Sequence, residues 1–166
     1  LMVAAILSDT MLLKSPTTTA EDVKAVETLG QILGEDPLAF GREMYNAKLD
    51  IAALSPEAIV TNDLKAFEFG KLRVGIGQIE VADKDPVLVR KADILAAMAE
   101  YQDQQGFDLM LLMVSDILLE GSELLAVGYT RIVEKAFGVA LTEQAIFLPG
   151  VLSRKKQVVP PLSNVV

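Results

Sequence analysis

The sequence predicts an α/β protein that contains a mixed β-sheet of about five strands with helices on both faces. Three observations predict this fold. Apolar residues recur at helical spacing through the first third of the chain, they alternate with other residues from 67 to 81, and a continuous apolar run of strand length follows at 108–114. Helices that alternate with strands in this way favour a sheet covered on both faces over a bundle or a sandwich.

The first half of the chain is predicted to be helical. The apolar segment Leu1–Leu7 has the composition of a buried helix. A second helix is expected to begin at a capping-box pattern formed by Thr18 and Glu21, and to end at Gly34. The pairs Asp36-Pro37 and Ser55-Pro56 each place a cap and a proline where a further helix begins.

The second half is predicted to supply the sheet. Phe67 and Phe69 alternate with other residues before a tight turn at Gly70-Lys71, and the alternation then continues to Val81, which indicates a β-hairpin. The remaining elements expected, in order, are a helix over 85–105, strands over 108–114 and 123–127, a helix over 130–137, a strand over 145–148 and an edge strand over 157–162.

Composition excludes several classes of site and partner. The 166 residues include no Cys and no His, which rules out a Cys/His zinc site, a thiol nucleophile and a His base. Catalysis would therefore depend on carboxylates, Lys, Arg, hydroxyls or an oxygen-bound metal. The net charge of -8 repels nucleic acid and anionic lipid. No apolar run approaches the roughly 20 residues of a membrane span, so a soluble, cytoplasmic protein is expected.

A basic cluster near the end of the chain is the first candidate site. No Asp or Glu occurs from residue 144 to 166, where Arg154, Lys155 and Lys156 are consecutive. Arg offers a planar fork to phosphate oxygens and Lys adds a point charge, so this segment is suited to bind a polyanion. The alternative interpretation is a solvated charge run. In both cases the cluster is expected to contribute little to stability.

Three other features have both a structural and a functional interpretation. Asp9, flanked by Ser8 and Thr10, is either a helix-end carboxylate bonded to nearby backbone or a metal ligand whose partner ligands lie elsewhere. Lys65, taken by itself, is typical of a surface lysine. The glycines of the segment 74–77 do not form a phosphate-loop pattern and indicate strand glycines that another backbone approaches closely.

Five segments taken together resemble a known family. They are Ala5–Thr10, Lys14–Thr17, Asp63–Phe67, Val74–Ile79 and the most specific one, Ser153–Pro161, with the sequence SRKKQVVPP. In order and spacing they are similar to the manganese-dependent (family II) inorganic pyrophosphatases of the DHH phosphoesterase superfamily. The resemblance extends from the first residue to about Leu162 and covers the C-terminal domain of that family.

The resemblance implies a division of the chain and a role for four residues. Residues 1–18 are expected to form the end of an inter-domain helix and a linker that carries a metal-ligand carboxylate, Asp9. Residues 19–166 are expected to form the C-terminal substrate-binding domain. Within it, Lys65, Arg154 and Lys155 are implied to bind the phosphates of pyrophosphate, which the complete enzyme hydrolyses to two phosphates.

The resemblance also implies cofactors and partners. The complete enzyme is expected to hold a dinuclear Mn²⁺ or Co²⁺ site together with Mg²⁺, with most ligands in an N-terminal domain that contains the Asp-His-His motif. Because this chain has no His, it is expected to bind no metal and to be inactive by itself. Expected partners are pyrophosphate, the N-terminal DHH domain and, in the complete protein, a second copy in a homodimer, but neither nucleic acid nor membrane.

Two other functions stay open on the sequence. One is a related phosphoesterase that acts on short polyphosphates or nucleotides. The other is a regulatory module that keeps the fold and only binds anions or nucleotides. The presence of Asp9 beside an intact basic cluster disfavours the second, because a pure binding module has no evident need for a metal carboxylate.

Overall fold

The computed structural model describes residues 1–48 and 50–166. The chain forms two compact units, Leu1–Asp50 and Ile51–Val166. The division that the sequence suggests, after residue 18, stays a prediction.

The described part of the first unit contains three helices. They are α1 (Met2–Asp9), α2 (Ala20–Leu33) and α3 (Pro37–Lys48). The α2 helix ends at Gly34, whose φ of 69° is readily adopted by glycine. Before α3, the carboxylate of Asp36 accepts a hydrogen bond from the amide of Leu38 at 2.9 Å. The predicted stop at Gly34 and start at Pro37 are both confirmed.

The capping box of α2 lies one residue later than predicted. The hydroxyl of Thr19 accepts a hydrogen bond from the amide of Asp22, and the Asp22 carboxylate accepts one from the Thr19 amide at 2.8 Å. Hydrogen bonds from the Thr19 amide and hydroxyl lower the pKa of Asp22. The hydroxyl of Thr18 lies instead 3.5 Å from the carbonyl oxygen of Thr10, so it does not cap the helix.

A left-handed turn follows α1. Met11, Leu12 and Leu13 have φ angles of 49°, 57° and 65°, a region that costs about 1–2 kcal/mol for each residue other than glycine. The turn is closed by a hydrogen bond of 2.9 Å from the amide of Ser15 to the carbonyl of Thr10. It buries the side chain of Leu12 beside Gly41 of α3, where an added Cβ would overlap Leu12. Packing against α3 therefore offsets backbone strain in the turn.

The second unit contains the predicted five-stranded mixed sheet. Its strands lie in chain order, β2 and β3 are parallel, and the other three pairs are antiparallel. The central strand β3 is buried along its whole length, as its continuous apolar sequence predicts. The strands are β1 (Lys65–Phe69), β2 (Leu72–Val81), β3 (Leu109–Asp116), β4 (Gly121–Gly128) and β5 (Ala145–Pro149).

Helices cover both faces of this sheet. On one face, Leu111 and Met113 belong to a buried cluster with residues of the last helices of the chain. On the other face, a Cβ at Gly77 of β2 would lie 2.6 Å from the backbone carbonyl of Val60, which confirms the predicted close approach. The helices are α4 (Pro56–Thr61), α5 (Asp85–Leu88), α6 (Lys91–Gln105), α7 (Arg131–Phe137), a π-helix (Arg154–Val158) and α8 (Val159–Ser163).

Two predicted elements are wrong. The helix expected over 85–105 is divided at Val89 and Arg90, where the Arg90 guanidinium donates to the carbonyls of Ile51 and Leu54, each at 2.8 Å. The edge strand expected over 157–162 is instead helical. The helical segment follows Ser153, whose hydroxyl caps it by accepting a hydrogen bond from the amide of Lys156.

Arg154 anchors this terminal segment to the sheet. Its Nη1 donates to the backbone carbonyls of Asp63 and, at 2.9 Å, of Ile76, and its Nη2 donates to Asp63 Oδ2 at 2.9 Å. Only 6% of Arg154 is exposed. The alternative interpretation of the basic cluster as a solvated charge run is therefore wrong for Arg154, because this guanidinium is buried and donates to backbone carbonyls on two other segments.

We predict that Arg154→Ala destabilises the protein even when no anion is present. The change leaves the buried carbonyl of Ile76 without its donor, which costs about 1–3 kcal/mol, while the ion pair with half-exposed Asp63 adds little. Chemical denaturation of the purified chain measures the loss. Lys155→Ala is the matched control, because Lys155 is exposed, and its effect should stay within about 0.5 kcal/mol. Equal stabilities of the two variants would contradict the anchoring role.

Candidate anion-binding site

The three cations predicted from the sequence all lie in the second unit, Lys65 in β1 and the other two in the π-helix. Lys65 opens β1 and stands opposite Ile76 in the antiparallel ladder with β2. The carbonyl of that same residue, Ile76, accepts the hydrogen bond from Arg154. Because Lys65 is the ladder partner of Ile76, the start of β1 lies close to the Arg154 guanidinium. Lys155 follows Arg154 in the π-helix.

Asp63 connects two of these cations and was not predicted. Its Oδ1 lies 3.7 Å from Lys65 Nζ, and its Oδ2 accepts the hydrogen bond from Arg154 Nη2. The residue adopts a φ of 38° in the turn between α4 and β1. The segment Asp63–Phe67 is one of those that carry the family resemblance, but a role is implied there only for Lys65. The nearness of Asp63 to Lys65 along the chain is a second signal that could have found it.

Arg154 keeps two N–H groups for a ligand. A guanidinium has five N–H donors, and three of those in Arg154 bind the carbonyls of Asp63 and Ile76 and the Asp63 carboxylate. The Nε–H and the second Nη2–H remain. Among the described residues no buried side-chain nitrogen or oxygen lacks a partner, so Nε, which makes no hydrogen bond there, lies at the accessible edge of the side chain. Adjacent N–H groups of this kind form a fork that fits phosphate oxygens.

Polar side chains of the sheet fix the loop that leads into the π-helix. The hydroxyl of Ser122 on β4 donates to the carbonyl of Val151 at 2.6 Å. Gln78 on β2 donates to Ser115 on β3 at 3.2 Å and to the carbonyl of Leu152 at 3.3 Å. Three neighbouring strands therefore hold the backbone just before the basic cluster.

Gln157 fixes the same loop from inside the π-helix. Its Oε1 accepts hydrogen bonds from the amides of Leu152 and Ser153 at 3.0 and 2.9 Å, and its Nε2 donates to the carbonyl of Gly150 at 2.7 Å. Single turns of π-helix occur frequently at functional sites. Lys155, which is exposed and has no ion-pair partner in residues 1–48 and 50–166, is thereby carried on a fixed backbone.

Asp9 lies in the first unit, as the last residue of α1. The backbone on either side of it is fixed, because the buried Tyr45 donates to the carbonyl of Ser8 at 3.0 Å and the buried Thr10 donates to that of Ile6 at 2.6 Å. The Asp9 carboxylate is exposed and makes no hydrogen bond to any residue that the structure describes. The alternative of a helix-end carboxylate bonded to nearby backbone is therefore not found in this part of the chain.

The chain offers few other groups for a metal ion. It has neither His nor Cys, and within the described ranges no three carboxylates lie together in a way that could hold a metal. Asp9 is an exposed carboxylate, an oxygen donor of the type that Mn²⁺ and Mg²⁺ favour. Among the described helices, none is long and apolar enough to cross a membrane.

Known proteins resemble this chain over nearly its whole length. It is 46% identical over 99% of its length to a manganese-dependent inorganic pyrophosphatase of Methanothrix thermoacetophila and 45% identical over 99% to one of Methanocaldococcus jannaschii, and it spans 54% of each. It is 40% identical over its full length to a cobalt-dependent inorganic pyrophosphatase of Clostridium perfringens, of which it spans 30%. The chain thus spans about half the length, or less, of these relatives.

A solved structure agrees with these relatives. A crystal structure described as a family II inorganic pyrophosphatase of Methanococcus jannaschii superposes with a TM-score of 0.86 at 44% identity, over 99% of this chain and 54% of that one. The resemblance inferred from the five sequence segments is confirmed. The family model of the DHHA2 domain matches residues 42–165, which include Lys65, Arg154 and Lys155. Because this match covers most of the sequence, the chain belongs to the DHHA2 domain family.

Proposed function

We propose that this chain is the C-terminal part of a cytoplasmic, metal-dependent inorganic pyrophosphatase that hydrolyses pyrophosphate to two phosphates. The observation that carries the proposal is the proximity of Lys65 to the Arg154 guanidinium, which Lys155 follows in sequence, within a DHHA2 domain. The names of the relatives support the reaction and the need for manganese or cobalt.

The three cations have complementary tasks towards pyrophosphate. Phosphoryl transfer depends mostly on positioning and on neutralising negative charge, since the protein has little covalent work to do. Arg154 is buried and held by three hydrogen bonds, so its fork presents a fixed direction to the phosphate oxygens. Lys65 and Lys155 are exposed and adjust to the ligand as mobile point charges.

The metal-binding task of this chain falls to Asp9. When bound, divalent ions at such a site supply charge neutralisation and an activated water. Asp9 supports one of them with an exposed carboxylate whose main-chain neighbours are fixed. The other ligands, and the site for additional Mg²⁺, are then contributed by a preceding DHH domain. Asp9 lies in residues 1–18, the proposed inter-domain helix and linker, and all three phosphate-binding residues belong to the second compact unit.

We predict that this chain by itself shows negligible pyrophosphatase activity with Mn²⁺ or Co²⁺, while the complete enzyme that contains it is active. One carboxylate is too few ligands for a dinuclear centre. Phosphate release from pyrophosphate, measured at equal concentrations of the two proteins, tests this. Turnover of about 1–1000 per second by the isolated chain would contradict the proposed division of labour, and an inactive complete protein would contradict the function.

We predict that Asp9→Asn in the complete enzyme weakens the binding of one metal ion and leaves the fold intact. Asn keeps the shape and one oxygen but removes the charge that a divalent ion favours. Calorimetric titration with Mn²⁺ measures the change, and the melting temperature of the metal-free protein is the control for folding. If the variant binds Mn²⁺ like the wild type and retains its activity, Asp9 is a structural residue and not a metal ligand.

We predict that Lys155→Ala lowers kcat/KM for pyrophosphate at least about tenfold, because a charge-assisted hydrogen bond contributes roughly 1.5–3 kcal/mol. Its exposed position makes a change in thermal stability small. Lys71→Ala is the matched control, since Lys71 is an exposed lysine at the turn between β1 and β2. If both variants hydrolyse pyrophosphate like the wild type, the cluster at Arg154 is not an anion site.

A further inference from the structure

We infer that Asp63 is a positioning residue of the anion site, whose carboxylate aligns Arg154 and Lys65 so that one phosphate ligand meets both. The inference rests on the function proposed above and adds a residue of opposite charge to it. The one feature it depends on is that a single acidic residue contacts both cations.

Each oxygen of Asp63 has a separate task. Oδ1 lies 3.7 Å from Lys65 Nζ, Oδ2 accepts from Arg154 Nη2 at 2.9 Å, and the backbone carbonyl accepts from Arg154 Nη1. The two cations come from segments that are distant in sequence, the start of β1 and the π-helix. Asp63 is therefore a common reference point that fixes the position of one cation relative to the other.

The turn that carries Asp63 is itself tied to the sheet. The carbonyl of Asn62 accepts a hydrogen bond from the amide of Gln78 on β2 at 3.3 Å. Asp63 adopts a φ of 38°, close to the left-handed region that Asp visits more readily than most residues. This backbone conformation and the link to Gln78 fix the place from which the carboxylate extends.

A carboxylate among phosphate-binding cations affects ligand binding by orienting those cations, not by contacting the ligand. A carboxylate repels a phosphate, so Asp63 does not bind it directly. Its hydrogen bond occupies one Nη2–H of Arg154 and leaves the Nε–H and the second Nη2–H for the ligand. Lys65 has no other ion pair within the described residues, so without Asp63 its exposed side chain loses its only ion-pair partner there.

The ion pairs of Asp63 are expected to contribute little to folding. Its side chain is 54% exposed, and ion pairs at exposed positions contribute little to stability. Even without the carboxylate, Arg154 Nη1 retains the carbonyls of Asp63 and Ile76. Substitution of Asp63 should therefore change the alignment of the cations while Arg154 stays anchored.

The test compares Asp63→Ala and Asp63→Asn in the complete enzyme with manganese. We expect kcat/KM for pyrophosphate to fall about tenfold in the Ala variant and less in the Asn variant, which keeps an acceptor for Arg154 but no charge for Lys65. The melting temperature of the Asn variant should match the wild type, because Asn tolerates the positive φ at residue 63, whereas the Ala variant is expected to melt at a somewhat lower temperature. Glu143→Gln is the matched control: it removes a carboxylate paired with Lys91 at 3.2 Å, an ion pair that does not involve the site, and should leave kinetics unchanged.

A double-mutant cycle separates positioning from a structural role. In a Lys65→Ala background, Asp63→Ala should lower kcat/KM by a smaller factor than in the wild type, because part of its effect acts through Lys65. Equal factors in both backgrounds would overturn the inference. Should Asp63→Ala fail to fold, the Asn variant decides, and wild-type kinetics of a folded Asn variant would also overturn it.

The same experiments distinguish this inference from the proposed function. Normal kcat/KM values for Lys65→Ala and Lys155→Ala would contradict the anion site as a whole. Lowered values for both lysine variants, together with wild-type values for both Asp63 variants, would preserve the site and overturn only the role of Asp63.

Discussion

The buried guanidinium of Arg154 is the interaction on which the rest of the site depends. A buried charge has to be hydrogen-bonded, and this one uses two main-chain carbonyls and the carboxylate of Asp63. Those partners lie in the turn before β1 and in the middle of β2, so the guanidinium is correctly placed only when the hairpin has formed. Structural anchoring and anion recognition therefore occur in one side chain, divided between different N–H groups.

Elements with local signals were predicted well, because the signal and the structure involve the same residues. The prolines at 37 and 56, the glycine at 34 and the uninterrupted apolar sequence of β3 are of this kind. The two errors arise where contacts with residues distant in sequence determine the local backbone structure. The break before α6 coincides with the bonds from Arg90 to Ile51 and Leu54, and the helical tail depends on the anchoring of Arg154.

The residues of the candidate site were predictable only in part. The roles of Lys65, Arg154, Lys155 and Asp9 come from resemblance to a family, while the proximity of Lys65 to Arg154 follows from strand register. Asp63 was missed because the contact that reveals it joins positions 91 residues apart in sequence. A charged residue in a turn carries no mark of the partner that it will meet after folding.

Because Leu12 packs directly against Gly41, the residues that are tolerated at these two positions of the first unit depend on each other. A left-handed backbone directs Leu12 against α3, and any side chain at residue 41 would compete with it for the same volume. Substitutions at the two sites are thus epistatic: a smaller residue at 12 removes the closest overlap with a side chain at 41, although Leu7 would still lie 3.0 Å from its Cβ. A mutational library that varies one position at a time is expected to recover the starting pair, whereas a library that varies both can reach other solutions.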